Sequence, residues 1–291
     1  MTDIREQAVR LYDDYTHEHR DRRRLLREMA AVAGSVAAAK GLIAGIGASP
    51  AAAAVIAADD KRLRTETRTI GTGAASLTGY LAQPRRSRSR RPMIMVIHEN
   101  RGLNDHIRDV ARRVALAGFT AFAPDYLAGA GGTPADQDRA RTMIGQLDLG
   151  AAVATTVAVM NGALTAADGP RRIGAVGFCW GGAFVNRLAV AAGPALAAGV
   201  PYYGTAPNPA EAIKVQTPLM IQLAGKDARV NATALPWAEA LKAAGKRVEA
   251  FTYPGVDHAF NNDTSAERYD KAAADLAWAR STAFLKRELD A

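Results

Sequence analysis

Beyond residue 64 the apolar residues fall into short unbroken runs separated by longer stretches in which they recur every three or four positions. Met93-Ile-Met-Val-Ile, Arg172-Ile-Gly-Ala-Val-Gly and Pro218-Leu-Met-Ile-Gln-Leu-Ala are runs of the first kind, short and flanked by polar or turn residues, and read as strands buried on both faces. Segments 64–70 and 76–83 read as an initial antiparallel pair, and 120–124, 199–203 and 248–253 as further strands. The intervening periodicity predicts helices over 105–118, 135–147, 150–167 and 232–244. Thr264-Ser-Ala-Glu267 has the form of a capping box, which predicts the start of a last helix carrying Tyr269, Ala273, Leu276, Ala277 and Phe284 on one face. Strands alternating with helices imply an α/β fold, a mostly parallel central sheet with helices on both faces.

The first 63 residues follow another pattern. Residues 4–20 suggest an amphipathic helix with Ile4, Ala8, Leu11, Tyr12 and Tyr15 on one side. Arg22-Arg-Arg-Leu-Leu-Arg27 and the Ala/Gly-rich stretch to Ala58 resemble a twin-arginine export signal, with small residues near Ala52 and Ala54 suited to cleavage. Glu28 and Lys40 interrupt its apolar part, and the leader before the arginines is long for a signal. The preferred reading is therefore a helical extension, residues 1–63, packed on a catalytic domain of residues 64–291. Glycines at 34, 41, 45 and 47 argue against a membrane anchor, because no apolar run there reaches the ~18–20 residues a span needs.

The chemistry concentrates at Gly177-Phe-Cys-Trp-Gly-Gly182, where the only cysteine in 291 residues sits at a strand-to-helix junction. A lone cysteine usually packs as a small apolar residue. Glycines on both sides serve no such purpose, but they do suit the sharp elbow on which α/β-hydrolases mount a nucleophile. A sulfur there faces the amides of the helix N-terminus, which favour the thiolate. None of the serines, at 35, 49, 76, 87, 89, 265 and 281, has the flanking glycines of a competing elbow.

A thiolate needs a base, and the base needs an orienting group. Asp227 closes the loop after the strand ending at Ala224, and His258 follows the strand ending at Tyr253, so the chain order is nucleophile, acid, histidine. Asp257 is a rival orienter, although adjacent residues seldom face each other. His17 and His19 lie in a charged N-terminal segment and His106 at a helix start, so none of the three is a candidate.

With His98-Glu-Asn-Arg-Gly102 after the third strand, the elbow, Gly225-Lys-Asp227 and Asp257-His-Ala-Phe260, the chain resembles the dienelactone hydrolase family from about residue 64 to its end. The resemblance implies an α/β-hydrolase fold, a Cys179–His258–Asp227 triad, and a glutamate, Glu99, that holds the resting thiol and helps activate it. It also implies an oxyanion hole built from the backbone amides of Asn100 and Trp180. Amides aimed in advance at a developing oxyanion are worth several kcal/mol, which supports that assignment on physical grounds. Glu99 follows a buried strand and so belongs at the same rim; its structural alternative is an ion pair with Arg101. His98-Glu99 lacks the second histidine of a zinc-protease motif, since position 102 is glycine. Tyr126, Phe178 and Tyr203 are candidate substrate-binding residues, with Trp180 and Tyr202 as further aromatic candidates for the pocket wall. The family's two carboxylate-binding arginines have no counterpart, neither after Asp125-Tyr126 nor after His258, so the reaction class is better defined than the substrate.

These residues imply a cofactor-independent hydrolase of carboxylic esters or lactones, with no metal. A non-catalytic thiol sensor or binding protein on the same scaffold is the alternative, because fold alone does not guarantee chemistry. The formal charge of +8 changes little once located: residues 1–91 hold a net +7 and residues 92–291 a net +1. Neither basic cluster, around Arg20–Arg27 or Arg85–Arg91, is interleaved with aromatics, so a nucleic-acid partner is not expected. Recruitment to an anionic membrane through the first cluster is a weaker alternative. One cysteine cannot form an internal disulfide, consistent with the cytoplasm, and export to the periplasm is the alternative. Oligomeric state stays open.

Overall fold

The computed structural model describes residues 3–18, 21–47, 54–86 and 90–290. His19, Arg20, Ala52 and the centre of the second basic run, residues 87–89, lie outside them. Three helices come first: α1 (Ile4–His17), α2 (Arg22–Ala33) and α3 (Val36–Ile46). Asp3, Asp21 and Ser35 cap their starts by accepting from backbone N–H groups within the first turn. The three helices bury a small core of their own, built from Ala8, Val9, Tyr12, Tyr15, Leu25, Met29, Ala39 and Ile46. Ile4, expected on the apolar side, is 54% exposed at the free end. Among the described residues no single helix is long and apolar enough to cross a membrane.

The remaining elements follow the order read from the sequence: β1 (Leu63–Thr72), β2 (Ala75–Pro84), β3 (Met93–Ile97), α4 (Asp105–Leu116), β4 (Thr120–Pro124), α5 (Gln137–Gly145), α6 (Leu149–Thr165), β5 (Ile173–Phe178), α7 (Trp180–Ala191), β6 (Ala198–Tyr202), β7 (Leu219–Ala224), α8 (Ala228–Ala243), β8 (Val248–Tyr253) and α9 (Lys271–Asp290). They form one eight-stranded sheet in the order β1-β2-β4-β3-β5-β6-β7-β8. Pairing is antiparallel between β1, β2 and β4 and parallel from β4 to β8. β3, β5, β6 and β7 are the apolar runs because both of their faces are covered. One core lies against α4 and α9 and the other against α6, α7 and α8.

One expected boundary is corrected. Thr264–Glu267 does not open the last helix; Asp270 caps it instead, accepting from Ala273 N at 2.9 Å. The earlier segment is drawn into tertiary contacts with the extension. Ser265 Oγ donates to Ile46 O at 2.6 Å, and Glu267 N donates to Gly45 O at 3.1 Å. Tyr269 thus precedes α9, and Leu276 is exposed, while Ala273, Ala277, Phe284, Leu285 and Leu289 form the buried face.

Candidate active site

Cys179 occupies the turn between β5 and α7 with φ 54° and ψ −111°, a left-handed conformation that costs on the order of 1–3 kcal/mol in a non-glycine residue. The elbow is tight because α7 starts against the strands themselves. A Cβ on Gly181 would lie 2.3 Å from Ile97 O, and one on Gly177 would lie 2.1 Å from Gly181 O. Those contacts explain the glycines and leave the sulfur at the carboxyl edge of β5, with Trp180 at the first position of α7, where helical amides have no intrahelical acceptor.

Asp227 and His258 reach the same rim from β7 and β8. His258 Nδ1 lies 2.5 Å from Asp227 Oδ2, while Asp227 Oδ1 accepts from Val230 N at 3.1 Å and caps α8. Burial opposes the charged form of both groups, yet each partner's charge outweighs it: the imidazole is pushed above its ordinary range and the carboxyl held below its own. The Cys179 sulfur adds to the upward shift of His258. His258 Nε2 is buried without a hydrogen-bond partner and lies within 4.8 Å of the sulfur. Asp257 takes no part in orienting it and pairs with Arg5 at 3.2 Å.

The hydrogen bond to the sulfur comes from elsewhere. His17, at the last turn of α1, places Nε2 3.3 Å from Cys179 Sγ, and its ring meets that of His258 edge-on at 4.8 Å. Its Nδ1 lies 2.8 Å from Asp13 O. Burial and the neighbouring charges of His258 and Arg229 hold His17 well below the ordinary imidazole range, which favours its neutral form. Reading the sequence had set His17 aside as part of a charged segment. The signal was a polar strip, Asp13, Thr16 and His17, running beside the apolar face of α1 at i, i+3 and i+4.

These residues, with Tyr12 and Glu6, hold α1 across the rim, beside Cys179, His258 and Asn100. Arg268 pairs with Asp13 at 3.2 Å, Arg101 donates to Tyr12 Oη at 2.8 Å, and Lys226 approaches Glu6 at 3.5 Å. Arg101 is therefore turned away from Glu99. Glu99 is buried, with Oε2 accepting from Asn262 Nδ2 at 2.9 Å and Oε1 unpartnered. The expectation that Glu99 holds the thiol is corrected to this extent: the sulfur's hydrogen bond is to His17. Asn100 follows Glu99, and its Nδ2 donates to Thr16 O at 3.4 Å.

A cavity of about 340 Å³ opens beside the sulfur, lined by Cys179, Trp180, Tyr203, Asn100 and His17 among others. Tyr203, at φ 36°, places its ring 5.0 Å from that of His258. Phe178 and Tyr126, expected on the wall, belong to the packing beneath it. Phe178 is fully buried against Tyr202, and Tyr126 packs on Phe184 with its hydroxyl paired to Thr156 at 3.0 Å. Among the described residues three arginines do reach the lining, Arg141 from α5, Arg187 from α7 and Arg229 from α8, and no acidic residue lines it with them. A larger cleft of about 450 Å³, near Met93, Thr120 and Pro170, lies at the amino ends of the strands, away from these groups.

A doubly covered, mostly parallel sheet with a strand-to-helix elbow at the carboxyl edge defines an α/β-hydrolase. Within that class, the sequence profile of the dienelactone hydrolase family matches residues 77–289, and the chain belongs to that family. It is 29% identical over 255 residues to a protein of Escherichia coli named "Putative carboxymethylenebutenolidase", covering 82% of this chain and 93% of that one. Protein usf of Aquifex pyrophilus is 31% identical over 218 residues, 72% of this chain and 93% of its own. A crystal structure from Klebsiella pneumoniae named "Putative Dienelactone Hydrolase" superposes with a TM-score of 0.69 at 27% identity, over 77% of this chain and 99% of that one. The chain is accordingly a hydrolase with a small-molecule ester or lactone as substrate.

Proposed function

We propose that this hydrolase works through a cysteine nucleophile, and that its substrates are carboxylic esters or lactones bearing an anionic group. The observation that carries the first part is the run Asp227–His258–Cys179 at the sheet's carboxyl rim, with the imidazole held by a carboxylate and its free nitrogen turned towards the sulfur. Cys179 gives its proton to His258, whose cationic form Asp227 stabilises, and the sulfur attacks the carbonyl carbon. The backbone N–H groups of Trp180 and Asn100 receive the oxyanion. Collapse breaks the carbon–oxygen ester bond, and His258 returns the proton to the departing alkoxide. Water, deprotonated by His258, then cleaves the thioester, releasing the carboxylic acid and restoring the thiol. His17 positions the resting sulfur, and Glu99 keeps an unpartnered oxygen near by as a secondary proton acceptor. Arg141, Arg187 and Arg229 support an anionic acyl group, since a cavity whose described wall holds three guanidinium groups and no carboxylate favours a negative ligand.

A panel of aryl esters and lactones, with and without a carboxylate, tests the reading. Cys179→Ala is expected to lower turnover by more than about 10^3-fold across the panel; unchanged turnover would refute the mechanism.

A further inference from the structure

The geometry points to a zinc site made of His17, Cys179 and His258, assembled only when α1 is docked on the sheet. The three donor atoms lie within 4.8 Å of one another, and His17 Nε2 and the sulfur are already 3.3 Å apart. Tetrahedral zinc with its usual bond lengths holds nitrogen and sulfur ligands roughly 3.3–3.6 Å apart, so the set closes with a movement of roughly 1 Å. Two imidazoles and a thiolate are a donor set that suits zinc.

The groups behind the two histidines support the same assignment. A metal-binding imidazole commonly gives its other N–H to a carboxylate or a backbone carbonyl, which turns the remaining lone pair to the metal. Both histidines are arranged so, His258 through Asp227 at 2.5 Å and His17 through Asp13 O at 2.8 Å. His258 is 3% exposed, and its Nε2 has no partner although it is aimed into the cluster. The adjoining cavity has room for water at the fourth position. On binding, the sulfur and any protonated imidazole release their protons to solvent, and no redox change occurs. Since the ligands include the proposed nucleophile and base, zinc at this site blocks the hydrolysis proposed above; that consequence rests on the cysteine mechanism, whereas metal binding itself does not.

Cobalt(II) substitution in the full-length protein reads the site directly. The expected result is one equivalent bound, a thiolate-to-cobalt charge-transfer band, displacement by zinc, and protection of Cys179 from iodoacetamide. His17→Gln is expected to weaken binding about 10-fold or more and to lose that protection at equimolar zinc. Cobalt bound without the thiolate band, or equal affinity in the His17 variant, would overturn the assignment. Should the variant fail to fold, the wild type alone decides, because alkylation at the same rate with and without zinc rules the site out. Hydrolysis by the zinc-free enzyme is scored separately: its failure counts against the cysteine mechanism and leaves the cobalt result standing.

Discussion

Cys179 is flanked by two imidazoles from unlike regions, and the contrast shows that burial lowers a histidine unless a carboxylate stands beside it. His258 stands on the rim of the sheet, with its Nδ1 against a carboxylate, and is pushed towards the charged form. His17 stands at the end of a helix in the extension, where burial first and the charges of His258 and Arg229 next push it towards the neutral form, against the hydrogen bond between its Nδ1 and Asp13 O. One is equipped to carry a proton and the other to offer a lone pair. The sheet rim thus supplies the imidazole paired with a carboxylate, and the helical extension supplies the one hydrogen-bonded to the sulfur.

The largest expected effect separates these roles. His258→Gln is expected to lower kcat for aryl esters by about 10^3-fold, within the range for loss of a general base, whereas His17→Gln costs no more than about tenfold. Equal losses in steady-state assays would erase the distinction. Next comes the cavity wall: Arg187→Ala should reduce kcat/KM for a carboxylate-bearing ester about tenfold, equivalent to about 1.4 kcal/mol, while leaving a neutral aryl ester unchanged. Equal loss on both substrates would deny the cavity its preference for anions.

A smaller effect appears in the pH dependence of stability. His17 is held below its unfolded value of about 6.5, so below that pH the unfolded chain binds the extra proton and stability falls as pH drops towards the folded value. Between pH 7 and about pH 5.5 the wild type should therefore lose up to about 1.3 kcal/mol more than His17→Gln, measured by urea unfolding. His258 has the opposite sign, since its raised value gives stability that is full below pH 6.5 and lost as pH rises through the folded value. Comparing wild type with the His17 variant cancels that contribution. The smallest change expected is at Ser265, whose hydroxyl joins Ile46 O and Arg268. Ser265→Ala should cost about 1 kcal/mol and speed protease cleavage of the extension ahead of the catalytic domain.

Local pattern was enough to read the catalytic domain. β4, β7 and β8 match their expected bounds because each is a short apolar or alternating run stopped by a turn, and such runs have few other ways to bury themselves. Cys179, Asp227 and His258 were legible because each sits at a fixed place after a strand, so chain order stands in for geometry. Phe178 and Tyr126 were misplaced because an aromatic beside a site is equally suited to the packing beneath it.

The sequence by itself determined the sheet, its helical cover, the elbow and the three residues delivered to the rim, because these follow from side-chain periodicity and backbone stereochemistry over a few residues. Only the tertiary structure brought His17 to a sulfur 162 positions away. It likewise gathered arginines from three helices around one cavity and diverted Thr264–Glu267 from capping a helix to holding the extension. The physical reason is that a docking surface is a sum of ion pairs and hydrogen bonds between segments distant in the chain, and no local pattern names the partner.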